Sequence, residues 1–186
     1  MRTSKHIFKI LHIILLGICL SSGFIVKGQA SDPPSPVSEY QAKAAFVFNF
    51  AMFANWPKGS FPDEKSPLVI GVMGSDQVED ALKTIEGEKV NDRKVTIEHF
   101  SGIDGIRKCH LLFISSSERH RLEEILQTLG DSPVLTVSDL EGFTDRGGMI
   151  GFLTIQNRIR FTINLNSVQR TRIKISSRLL NLATNL

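Results

Sequence analysis

The runs LVIGVMG (68–74) and CHLLFIS (109–115) are apolar at almost every position over the length of one strand. A strand without alternation has both faces covered, which is the situation of a parallel strand lying between two layers of helix. The segments between the runs agree with this. SDQVEDALKTI follows the first run, with Ser75 or Asp76 as N-cap and Asp76 and Glu79 in capping-box spacing. SSSERHRLEEILQTLG follows the second, with Ser115 and Glu118 in the same spacing and Gly130 as its stop. RKVTIEHF, which alternates for several residues, and PVLTVSD supply two further strands. The expected fold is therefore α/β, a single layered domain with a largely parallel sheet flanked by helices.

The rest of the chain attaches to that frame. AAFVFNFAMFANWP (44–57) carries five aromatic rings within eleven residues. Ala42, Phe46, Phe50 and Phe53 recur at helical spacing, which predicts a helix over Glu39–Asn55, ended by Trp56 and Pro57. It is too short to cross a bilayer and contains Asn49 and Asn55, so its aromatic face is expected to pack on the sheet. Phe48 lies about 160° from Phe50 around this helix. It is either covered by other parts of the fold or exposed as an aromatic anchor for a partner. MIGFLTIQNRIRFTINL reads as an antiparallel hairpin turning at Gln156 and Asn157. In its second strand Ile159, Phe161 and Ile163 face one way, and Arg158, Arg160 and Thr162 the other. From Asn166 a stripe of Val168, Arg172, Ile175, Leu179, Leu182 and Leu186 predicts a C-terminal helix, with Ser176 and Ser177 as the candidate kink.

At the other end, Arg2, Lys5 and Lys9 precede the apolar run Ile10–Leu20, and Gly28 and Ala30 stand at the spacing a signal peptidase reads. Residues 1–30 are read as a secretory signal cleaved after Ala30, residues 31–38 as a flexible lead-in, and residues 39–186 as the domain. Lipoprotein processing would need a small residue before Cys19, where Ile18 stands. After signal removal no segment reaches the roughly 20 apolar residues of a transmembrane helix.

Without those thirty residues, eighteen basic and nineteen acidic side chains remain, a net charge of −1. Global charge therefore gives no case for nucleic-acid binding. The distribution is uneven, with a net −8 over Ser31–Asp145 and seven basic, no acidic residues over Arg146–Leu186. Either this is a charge dipole that aids solubility, or it is a basic face for an acidic partner, an anionic ligand or a membrane surface. Arg158, Arg160, Arg170, Lys174 and Arg178 are the candidate partner- or ligand-binding residues, together with Phe48.

A search for chemistry returns little. His99, His110 and His120 have no metal-ligand spacing, and Cys109 and His110, as strand neighbours, should point to opposite faces. GVMGSD joins a strand to a helix N-terminus, which makes Gly74 and Ser75 a candidate anion site. It lacks the full dinucleotide fingerprint and any P-loop lysine, so a plain tight turn competes with that reading. Cys109, the cysteine left after processing, is expected to be an unpaired, buried thiol, with a covalent dimer as the alternative. No catalytic, cofactor-binding or metal-binding set can be assembled, and an enzyme is not expected.

The ordered series KAAFVFNF with Trp56-Pro57, CHLLFIS, PVLTVSD, GGMI, NRIRFTIN and ISSRLL resembles the YfiR family of bacterial periplasmic proteins across residues 39–186. The resemblance implies a non-enzymatic periplasmic regulator without cofactors. Such a protein represses an inner-membrane diguanylate cyclase through its periplasmic sensor domain, and so controls cyclic-di-GMP signalling and biofilm formation. It also implies an outer-membrane lipoprotein that can sequester the repressor, and a homodimer. Family members commonly bridge a cysteine on the first sheet strand to the position of Cys109, whereas this strand reads Gly71-Val72-Met73. Redox control through such a bridge is therefore not expected. The alternative reading is a periplasmic module that binds a small anion or nucleotide.

Overall fold

In the computed structural model, which describes residues 36–184 apart from 75 and 76, the apolar runs form the centre of a seven-stranded sheet. The chain begins with helix α1 (Pro36–Phe53) and continues through β1 (Ala54–Asn55), β2 (Leu68–Met73), α2 (Gln77–Lys83), β3 (Lys89–Val90) and β4 (Arg93–Phe100). It goes on through β5 (Leu111–Ile114), α3 (Leu122–Leu129), β6 (Leu135–Ser138), β7 (Ile150–Ile155) and β8 (Arg158–Ile163). It closes with α4 (Leu165–Arg170), β9 (Lys174–Ile175) and α5 (Ser177–Leu180). The expected signal segment and the proposed N-caps Ser75 and Asp76 lie outside the described residues.

The sheet order is β3-β4-β2-β5-β6-β7-β8, with β4, β2, β5, β6 and β7 parallel and a strand antiparallel to its neighbour at each edge. Progression across the sheet therefore reverses between β2 and β5, as in doubly wound folds. Side chains alternate between two cores. Val72, Leu111, Phe113, Leu135 and Val137 enter the core shared with α1 and α2, while Met73, Leu112 and Ile114 join Leu122, Ile125 and Leu129 of α3. Two covered faces account for strands without polar alternation.

Helix α1 supplies most of one layer. It begins at Pro36, three residues before the expected start, with proline in the first turn where its missing N–H has no partner to lose. Ala44, Val47, Phe50 and Ala51 are buried, so the inward stripe is centred on Val47, and Ala42 and Phe46 are only half-buried. Phe46 and Phe50 meet Phe152 and Phe161 of the hairpin at ring-centroid distances of 4.9 to 6.0 Å. Phe48 is half-buried and packed against the same core, between the two placements left open by the sequence. The helix ends at Phe53, not Asn55, because Ala54 and Asn55 pair with Ile175 and Lys174 in a small second sheet.

The hairpin turns at Gln156 and Asn157, whose φ values of 48° and 58° suit the tight turn between twisted strands. Ser115 caps the segment that follows β5 by accepting from the Ser117 N–H, although the first turns are a 3-10 helix (Ser116–Arg121) before α3 begins. The C-terminal helix differs most from expectation, being two short helices separated by β9. Thr171, Ile173 and Ile175 are β-branched and alternate, which weakens helix and favours strand. Arg172 adopts φ 62°, and Ser176 caps α5 by accepting from the Leu179 N–H. Val168 and Leu179 are buried as the stripe required, but Leu182 is 61% exposed, and Leu186 lies outside the described residues.

At the amino ends of the parallel strands His110 forms a clasp. Its Nδ1 accepts from the Val69 N–H at 3.0 Å, so its Nε2–H donates to Ser60 O at 3.1 Å. Phe61 stacks on the imidazole at 4.1 Å, Arg93 covers Phe61 at 3.9 Å, and Trp56 Nε1 donates to His110 O. Together these tie the 56–67 segment to the sheet. Burial holds the His110 imidazole below the ordinary value of 6.5, Arg93 adds to that, and the bond to Ser60 opposes it.

Two predictions follow from this packing. A neutral His110 adds stability that is complete above pH 6.5 and is lost as the pH falls through its lowered folded value. Urea unfolding should therefore show stability declining as the pH falls below 6.5. His110→Phe, which leaves the Val69 N–H without its acceptor, should cost about 1–3 kcal/mol at neutral pH and flatten that decline. The second concerns Gly71, where an added Cβ would lie 2.7 Å from Phe100 Cε2 and 2.9 Å from Leu112 Cδ1. Gly71→Ala should lower the unfolding free energy by about 1–3 kcal/mol in the same assay.

Candidate functional site

The parallel strands end along one edge of the sheet, and the first turns of α1 pass over that edge. Ser138, the last residue of β6, donates through Oγ to Ile114 O at 2.6 Å and accepts from the Leu140 N–H at 3.0 Å. These bonds fix the backbone where it leaves the sheet and so place Asp139. Lys43, one turn before Val47 on the inward side of α1, meets it there. Its Nζ lies 2.8 Å from Asp139 Oδ2 and 2.9 Å from Glu39 Oε1. The Lys43 and Asp139 side chains are only 8% and 14% exposed, and Asp139 Oδ1 is buried with no hydrogen-bond partner among the described residues. Burial alone pulls the ammonium down, but its bonds to Asp139 and Glu39 outweigh that and raise the Lys43 pKa above the ordinary lysine value.

A cleft opens on each side of this ion pair. One, of about 600 Å³, lies between the start of α1, the 139–145 loop and the β7–β8 hairpin. It exists because β6 stops at Ser138, opposite Gly151, while β7 runs on to Ile155. The other, of about 810 Å³, is bordered by Tyr40, Gln77, Glu79, Lys83, His99 and Ser116. It adjoins the point where strand order reverses, the usual ligand position in open α/β sheets. Glu79 there contacts His99 Nδ1 at 2.8 Å and Lys83 Nζ at 3.4 Å.

The five candidate cations are all exposed, but the fold divides them. Arg158 and Arg160 pair with Ile155 and Leu153, on the hairpin beside the smaller cleft. The other three lie toward the opposite edge of the sheet. Arg170 approaches Asp131 at 3.9 Å, Lys174 is paired with Asn55, and Arg178 sits 5.9 Å from the Phe53 ring. Gly74 has φ 95° and backs directly onto Ser115, Ser117 and Glu118, while Ser75 lies outside the described residues. Cys109 is free and buried, and its thiol donates to Ile106 O at 3.0 Å. Burial pushes that thiol up to about 12, and a Cβ at Gly71 of β2 would lie 3.1 Å from its sulfur. An interchain disulfide would require this site to open. Cys109 and His110 precede β5 instead of lying in it, and they make separate contacts.

Sequence reasoning missed Lys43 and Asp139. The available signal was a lysine inside an otherwise apolar inward stripe, and an aspartate immediately after a buried strand. Among the described residues, no group of three or more His, Cys, Asp or Glu is placed to hold a metal ion, and no helix is long and apolar enough to cross a membrane.

The ion pair yields a third prediction. Lys43→Met strands a buried carboxylate and should destabilise the fold by about 3–5 kcal/mol, whereas Lys43→Met combined with Asp139→Leu should recover most of that loss. Chemical unfolding of the two variants and the parent measures both effects.

Comparison with solved structures finds a similar fold in a conserved domain protein from Vibrio cholerae O1 biovar eltor str. N16961, with a TM-score of 0.55 and 9% sequence identity. The match covers 78% of this chain and 59% of that one, so the chain spans little more than half of that protein's length. A comparison with curated proteins found no match. The family model described as YfiR/HmsC-like matches residues 40–184, all but the first few residues of the described domain, and the protein belongs to that family.

Proposed function

We propose that the protein is a non-enzymatic periplasmic regulator, which binds the periplasmic sensor domain of an inner-membrane diguanylate cyclase and represses it. Family membership over residues 40–184 carries this reading. In it, residues 1–30 direct export, an outer-membrane lipoprotein sequesters the repressor, and release of the cyclase raises cyclic-di-GMP. The protein acts by occupying a partner's surface, in keeping with a domain whose buried ionisable groups, Lys43, Asp139, His110 and Cys109, are engaged in holding the fold.

Arg158 and Arg160 are the proposed contact residues. They project from β8, an edge strand, near the exposed Ile155, in a stretch of chain with no acidic residue after Asp145. An acidic partner surface would be steered toward such a patch. The clefts beside Lys43 and Asp139 favour a second reading, in which the protein also senses a small solute.

The fourth prediction tests the surface. Arg158→Glu with Arg160→Glu should leave thermal unfolding unchanged and weaken binding to the cyclase sensor domain by about tenfold or more, with a rise in cellular cyclic-di-GMP. Unchanged repression by the folded double variant would remove these residues from the interface.

A further inference from the structure

We infer that the cleft between α1, the 139–145 loop and the β7–β8 hairpin is a binding site for a small organic amine, an ammonium group carried on an apolar body. The inference stands apart from the cyclase reading, since it concerns the interior of the cleft beside Arg158 and Arg160 and a ligand of low mass. A volume of about 600 Å³ lies within the usual range for small-molecule sites.

Charge selects the ligand's sign. Glu39, Asp139, Glu141 and Asp145 border the cleft, and among the described residues Lys43 is the one cation in its lining. That ammonium is already held between Asp139 and Glu39. The lining is net negative, which favours an ammonium over an anion inside the cleft.

Hydrogen bonding points the same way. Lys43 engages Asp139 Oδ2, and Oδ1 is buried without a donor among the described residues. A buried carboxylate oxygen left in that state is costly, and a small rearrangement that admits a ligand N–H removes the deficit. Thr144 and Thr162, with hydroxyls 3.3 Å apart, add polar groups that can orient the bound molecule.

The rest of the lining suits an apolar body. Leu140 and Phe143 form one wall, and Phe152, Leu153 and Ile159 of the hairpin form the other. Few polar groups converging on an apolar wall is the usual composition of a small-molecule site. This surface is formed by the part of β7 that outruns β6, so the same mismatch in strand length makes both the cavity and its apolar lining.

The test is calorimetric titration of the purified protein at low salt with butylamine, cadaverine and 2-phenylethylamine, set against phenylacetate, which has a similar body and the opposite charge. Saturable binding of at least one amine, with none of phenylacetate, is expected, and added salt should weaken it. Glu141 and Asp145 are exposed, so Glu141→Gln with Asp145→Asn should preserve the fold. That double variant should weaken amine binding by about tenfold. The proposal is overturned if no amine binds saturably, if phenylacetate binds as well as 2-phenylethylamine, or if the folded double variant binds the amines unchanged.

Discussion

The fold depends on α1 staying pressed against one face of the sheet. Without it, Leu111, Phe113, Leu135 and Val137 would face water, and strands buried on both sides would lose one of their two cores. Three kinds of contact hold the helix down. Phe46 and Phe50 interlock with Phe152 and Phe161 at its middle, where aromatic pairs add about 0.5–1.5 kcal/mol each beyond area burial. Lys43 meets Asp139 at one end of the helix. At the other end β1 pairs with β9, and Trp56 donates to the backbone of His110.

Those contacts differ in what they cost. Aromatic packing needs no partner for a polar group, whereas Lys43 and Asp139 must satisfy each other or be left charged in a dry site. The pair sits where the sheet ends and the helix begins, between two clefts. The ion pair therefore locks the helix in place and forms a shared wall of both cavities. Any group entering the smaller cleft comes to rest against the lock that holds the first layer of the fold.

Much of this was legible in the sequence, because the strong signals are local. RKVTIEHF occupies β4 over the same eight residues, Arg93–Phe100, and the hairpin turns at the expected Gln156 and Asn157. Unbroken apolar runs implied two covered faces, and two cores are found. The C-terminal element was less legible, because Val168 and Leu179 keep helical spacing through a segment whose backbone pairs with β1 instead. A stripe specifies which side chains are buried without specifying the path between them. Lys43 and Asp139 were invisible for another reason, being 96 positions apart in the chain and joined only by folding. The basic terminal quarter misled in the opposite direction. Residues close in sequence proved to lie toward different edges of the sheet, with Arg158 on the hairpin and Lys174 beside the end of α1.

In the proposed reading this domain acts by binding a partner protein. Affinity purification of the tagged protein from envelope extracts tests that most directly. Reproducible recovery of an inner-membrane protein carrying a diguanylate cyclase domain is the predicted result. Reproducible recovery of the tagged protein with no such partner would contradict it.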